Sequence, residues 1–202
     1  MTKIKICGLS RLCDVEAVNI CRPDYAGFVF APESRRRISF ETAKELRARL
    51  APEIQAVGVF VGEKCETIAA LLNGGVIDVA QLHGGEDGNF IARLRKYTNK
   101  PIIQAFRVGT AGDAERAEQS SADYILLDSG AGSGKVFDWE LLRGIRRPYF
   151  LAGGLTCGNV RGAVRALHPF AADVSSGVET GGLKDKTKIA AFVNAVREED
   201  RT

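Results

Sequence analysis

The chain has 202 residues, 45% hydrophobic and 26% charged, with a formal net charge of +3. This is ordinary globular composition with enough apolar material for one core, and so mild a charge, spread along the chain, does not argue for nucleic acid. Five cysteines without C-x-x-C spacing and only two histidines argue against a disulfide framework and against a zinc site. With no signal peptide and no stretch of membrane-spanning length in view, the expectation is a cytoplasmic protein that binds neither membrane nor metal.

Short apolar or β-branched runs alternate with longer amphipathic ones. Lys3–Cys7 reads as the first strand and Tyr25–Phe30 as the second. A helix over Ser39–Leu50 follows, with Ala43, Leu46 and Leu50 on one face. Ala56–Val61 reads as the third strand, and Lys64–Leu72 as a helix carrying Ile68, Leu71 and Leu72. Strands four to six are expected at Asp78–Leu82, Ile102–Phe106 and Tyr124–Asp128. The segment from Ser129 to Trp139 leaves little room for a full helix, so the sixth helix should be short. Tyr149–Ala152 and Ala172–Ser175 read as the last two strands. Helices over Asn159–Leu167 and Thr187–Val196 carry apolar faces of Val160, Val164 and Leu167, and of Ile189, Phe192 and Val196.

Continuous apolar strands alternating with helices imply parallel βαβ units. Eight such units close naturally into a single-domain (β/α)8 TIM barrel over residues 1–202, at the small end for that fold. The rival, an open doubly wound sheet, lacks the G-x-G-x-x-G expected after its first strand.

In a barrel the reactive groups gather at the C-terminal strand ends. Cys7, in Lys5-Ile6-Cys7-Gly8, is one candidate, since a thiol acts as a general base once a cation or helix N-terminus favours its thiolate. Asp128 ends the run Tyr124-Ile125-Leu126-Leu127. Apolar neighbours disfavour a charged carboxylate, which would let this one donate a proton. One arginine of Arg35-Arg36-Arg37, facing the cavity, would clamp a carboxylate through two parallel hydrogen bonds. Gly153-Gly154 and Ser175-Ser176-Gly177 follow the last two strands, where barrels often build a phosphate site from backbone N–H groups. His83, in Gln81-Leu82-His83-Gly84, suits a supporting or substrate-orienting role. Gly130-Ala131-Gly132-Ser133-Gly134-Lys135 imitates a P-loop, but Ser129 and Val136 stand where the motif needs Gly and Ser or Thr. That stretch reads as a loop over the barrel mouth, with Lys135 reaching an anionic ligand.

Together these strand ends resemble the phosphoribosylanthranilate isomerase family of tryptophan biosynthesis. The resemblance runs nearly the whole chain, through Lys5-Ile6-Cys7-Gly8, Gln81-Leu82-His83-Gly84, Leu126-Leu127-Asp128, Ala152-Gly153-Gly154-Leu155 and Asp173-Val174-Ser175-Ser176-Gly177-Val178-Glu179. It implies an Amadori rearrangement of N-(5-phosphoribosyl)anthranilate to 1-(2-carboxyphenylamino)-1-deoxyribulose 5-phosphate. By that resemblance Asp128 is the general acid, Cys7 the general base and Arg36 the holder of the anthranilate carboxylate. Gly153, Gly154, Ser175, Ser176 and Gly177 fall at the phosphate, and Asp173 stands near the site. The implied partner is a small phosphorylated substrate, with no cofactor required and with the chain a monomer or homodimer. Two alternatives share the scaffold: a dual-substrate isomerase that also serves histidine synthesis, and a non-catalytic barrel that binds phosphorylated ligands. Carboxylates at both reactive strand ends would mark the former, and Cys7 stands at one of them.

Overall fold

Each expected strand is a short apolar run that can be buried on both faces of a parallel sheet. The computed structural model describes residues 1–128, 139–142 and 144–201. Its main strands are β1 (Lys3–Cys7), β2 (Tyr25–Val29), β3 (Gln55–Phe60), β4 (Val79–Leu82), β5 (Ile102–Arg107), β6 (Tyr124–Asp128), β7 (Tyr149–Ala152) and β8 (Ala171–Val174). Each lies beside the next, and β8 pairs in parallel with β1, Asp173 opposite Lys5, which closes the sheet into a (β/α)8 barrel. Strand boundaries differ from the sequence reading by no more than one residue.

Around the barrel run α1 (Leu12–Cys21), α2 (Phe40–Arg49), α3 (Cys65–Asn73), α4 (Gly88–Leu94), α5 (Ala111–Glu118), α6 (Val160–Leu167) and α7 (Lys186–Glu199). A 3-10 turn, Trp139–Leu142, lies between β6 and β7, and the segment expected to hold a short sixth helix falls on residues 129–138, outside the described residues. Helix starts are set by side chains that accept otherwise orphaned N–H groups: Ser39 from Thr42, Asp87 from Phe90, Thr110 from Asp113 and Asp185 from Thr187. The sequence reading named α2, α3, α6 and α7 but not the other three. In α1, Val15 and Val18 are buried while Leu12 and Ile20 are exposed, so no clean apolar stripe forms. In α5 the buried residues are Ala114 and Ala117, too small to stand out, and α4 spans 7 residues. No described helix is long and apolar enough to cross a membrane.

Strand alternation divides the core. Ile4, Ile6, Phe28 and Phe60 pack toward the helices. Tyr25, Val57, Val79, Ile103, Leu126 and Phe150 fill the lumen, with Tyr25 and Tyr124 edge-on to Phe150. Toward the C-terminal strand ends the apolar layer thins to Cys7, Val29 and Val59. Smaller side chains there leave the barrel mouth hollow. After β8 the chain forms a hairpin of β9 (Glu179–Thr180) and β10 (Leu183–Lys184), which returns buried Glu179 and Lys184 to that mouth.

Candidate active site

The period-two alternation of β1 turns Lys5 and Cys7 to the same, inner face. Cys7 is 8% exposed and Lys5 is fully buried. Lys5 Nζ donates to Asp173 Oδ2 at 3.0 Å, across the β1–β8 pairing that puts the two residues side by side. Asp173 Oδ1 is buried and has no hydrogen-bond partner among the described residues. Burial pushes the Cys7 thiol up. The positive charge of Lys5 opposes this, Asp173 adds to the rise, and Lys184 opposes it. Burial also acts to lower the Lys5 ammonium, but attraction to Asp173 and Cys7 outweighs it, so Lys5 stays charged.

Asp128 ends β6 and remains partly open, its side chain 28% exposed. His83, just beyond β4, turns Nε2 toward it, 3.9 Å from Oδ2. The other ring nitrogen, Nδ1, lies 2.8 Å from Gln81 Nε2. With the amide donating there, the ring proton sits on Nε2, facing the carboxylate.

The three arginines after β2 separate. Arg37 is exposed. Arg35 reaches Glu179 Oε2 with Nη2 but has a side chain 63% exposed. Arg36 lines the cavity and binds Glu179 in bidentate fashion, Nε to Oε1 at 2.6 Å and Nη2 to Oε2 at 2.9 Å. Lys184 Nζ donates to the same Oε1 at 2.6 Å. Burial acts to raise the Glu179 carboxyl, yet hydrogen bonds from Arg36 and Lys184 outweigh it and hold it down at about 2.

The loops after β7 and β8 touch backbone to backbone. Gly153 and Gly154 have φ of 93° and 66°, a region that L side chains rarely enter. A Cβ on Gly177 would lie 1.9 Å from the Leu155 carbonyl oxygen, so only glycine permits this approach. Ser176 is exposed at the cavity rim. The Ser175 hydroxyl donates to the Cys7 carbonyl at 3.1 Å and accepts from Lys184. It therefore stitches the end of β8 to the end of β1.

One cavity of about 300 Å³ collects Cys7, Arg36, Asp128, His83, Asp173, Gly153, Gly154, Ser175 and Ser176. Gly177 is not among its lining residues, and Lys135 lies outside the described residues. A second hollow shares His83 and Asp128 and adds Phe106 and Arg107. A larger groove beside α5 has walls of Ala111, Ala114, Leu141 and Ile145 on the barrel's outer flank, remote from these groups. No described group of His, Cys, Asp or Glu side chains could hold a metal ion. The sequence reading gave no role to Lys5, Gln81, Glu179 or Lys184. Lys5 carried a signal, a charged residue inside an apolar strand, whereas Glu179 and Lys184 reach the site only through the hairpin. A thiol and a carboxyl on one cavity, with cations and a glycine-lined rim, can bind a small dianion and move protons on it.

Comparison with known proteins shows which family the chain is similar to. The profile of the family described as N-(5'phosphoribosyl)anthranilate (PRA) isomerase matches residues 4–195. An N-(5'-phosphoribosyl)anthranilate isomerase of Endomicrobium trichonymphae is 48% identical, over 98% of this chain and 99% of its own. The crystal structure of phosphoribosyl anthranilate isomerase from Thermotoga maritima superposes with a TM-score of 0.90 at 38% identity, covering 98% of this chain and 100% of that one. A phosphoribosyl anthranilate isomerase in complex with reduced 1-(o-carboxyphenylamino)-1-deoxyribulose 5-phosphate superposes with a TM-score of 0.88 at 37% identity, with the same coverage.

Proposed function

The chain belongs to the N-(5'-phosphoribosyl)anthranilate isomerase family and is an isomerase of tryptophan biosynthesis, and we propose that Cys7 and Asp128 are the base and the acid of its reaction. The observation that carries this assignment is the single cavity on which both side chains open, together with Arg36 and the paired glycine loops.

The substrate is a phosphoribosyl group joined to the nitrogen of an aromatic amino acid, so it carries a phosphate at one end and a carboxylate at the other. The phosphate rests on the backbone of Gly153, Gly154 and Ser176, in loops whose approach depends on Gly177. Arg36, gripped by Glu179 at Nε and Nη2, turns Nη1 to the carboxylate. Holding both ends suspends the ribose between Cys7 and Asp128 and removes most of the orientational freedom that would otherwise oppose reaction.

Asp128 gives its proton to the ring oxygen as the C1′–O bond breaks, and the nitrogen lone pair forms the C1′=N iminium. The Cys7 sulfur, as thiolate, takes the C2′ proton, and the electron pair of that bond forms the enolamine. Movement of the enol proton to C1′ then gives the ketone, and loss of a proton from Cys7 to water with uptake of one by Asp128 returns both groups to their starting forms. His83 steadies the Asp128 carboxylate from the β4 side, and Asp173 anchors Lys5 beneath the sulfur. The dual-substrate isomerase and the non-catalytic barrel are not favoured.

The test is a fluorescence assay of freshly generated phosphoribosylanthranilate. Cys7→Ser and Asp128→Asn should each reduce kcat by roughly 10²- to 10⁴-fold while inorganic phosphate still competes for the site. Full turnover by both variants would remove the assignment.

A further inference from the structure

The Lys5–Asp173 pair has no part in binding either end of the substrate, yet it places two charges inside the barrel lumen. Such burial is costly unless the charges are matched. Here the match is incomplete: Lys5 Nζ bonds to Asp173 Oδ2, while Asp173 Oδ1 has no partner among the described residues. The geometry is fixed by the sheet. Lys5 and Cys7 are two residues apart on the inner face of β1, and Asp173 is the β8 residue in register with Lys5.

We propose that Lys5 is the positioning residue for the Cys7 sulfur, its ammonium bridging sulfur and Asp173 so that the sulfur is held in place as an anion. The proposal rests on Cys7 being the base and names what charges it. The groups around the sulfur are Lys5 from its own strand, Asp173 from β8, Lys184 from β10 and Arg36 from the loop after β2, with Glu179 of β9 behind the last two. Glu179 is already met by Arg35, Arg36 and Lys184, whereas Lys5 meets one carboxylate, Asp173, through a single oxygen, so a thiolate is the second anion set beside its ammonium. Asp173 plays the opposing part: by neutralising Lys5 it keeps the sulfur basic enough to accept a proton from carbon. When the sulfur takes that proton, Lys5 keeps its own and is left with Asp173 as its one charged partner.

The experiment measures alkylation of Cys7 by iodoacetamide against pH in the full chain without substrate, read on the Cys7 peptide by mass spectrometry, beside the pH profile of kcat/KM. The variants are Lys5→Met, Asp173→Asn and the double Lys5→Met/Asp173→Asn, which removes both buried charges and leaves neither unpaired. Losing a close opposite charge should move the Cys7 titration up by about one pH unit or more in Lys5→Met and in the double variant. That is about a tenfold loss of Cys7 alkylation near neutral pH, with the acid limb of kcat/KM moving the same way. Asp173→Asn should shift the Cys7 titration down. An unchanged or lowered titration in the double variant overturns the proposal. If the titration rises while the kcat/KM profile stays fixed, Lys5 does control the sulfur and Cys7 is not the base.

Discussion

Glu179 holds Arg36 by two parallel hydrogen bonds, Nε to Oε1 at 2.6 Å and Nη2 to Oε2 at 2.9 Å, across 143 residues of chain. A guanidinium gripped in this way cannot swing, so its remaining nitrogen points in one direction. Arg36→Met should raise KM for phosphoribosylanthranilate roughly 10- to 100-fold, the worth of a hydrogen bond to a charged group, with a smaller change in kcat. Steady-state kinetics would decide it, and a KM within a factor of about two of wild type would remove Arg36 from the carboxylate.

Glu179 also ties acid stability to the site. Its carboxyl is held at about 2 against an ordinary 4.5. A group depressed on folding contributes stability that is complete above the higher value and lost as pH falls through the lower one. Urea midpoints of the wild type should therefore decline from about pH 4.5 toward 2, and Glu179→Gln should decline less over that window. Parallel declines in the two proteins would mean that the Arg36 and Lys184 contacts carry no net stability.

Gly177→Ala sets a Cβ against the Leu155 carbonyl at 1.9 Å, a contact that backbone must move to relieve. The loops after β7 and β8 should part, weakening inhibition by inorganic phosphate about tenfold or more and costing about 1–3 kcal/mol of stability. Unaltered phosphate inhibition in a folded variant would show that the approach of these loops is irrelevant to anion binding.

His83→Ala removes the imidazole that faces Asp128 at 3.9 Å. The expected result is a fall in kcat of about tenfold with KM little changed, because the carboxylate loses orientation while both substrate ends remain held. A change confined to KM would place His83 against the substrate and not behind the acid.

Much of this site was legible because its markers are local. Cys7 and Asp128 each close an apolar run, and Gly153-Gly154 interrupts one, so strand pattern and punctuation suffice to place them at one end of a barrel. The helices that escaped notice, α1, α4 and α5, lack that local contrast. Choosing among Arg35, Arg36 and Arg37 was beyond the pattern, since three adjacent residues share one charge and differ only in what they meet.

The order of apolar runs, glycines and the thiol and carboxyl at the strand ends determined the barrel and its reactive rim, because alternation and turn chemistry act over a few residues. Closure of β8 onto β1 decided the rest. That pairing brings Asp173 to Lys5 beneath Cys7, and the hairpin beyond it carries Glu179 and Lys184 back to Arg36. Partners separated by most of the chain are fixed by where the sheet closes, and a side chain's charge and exposure depend on those partners rather than on its neighbours in sequence.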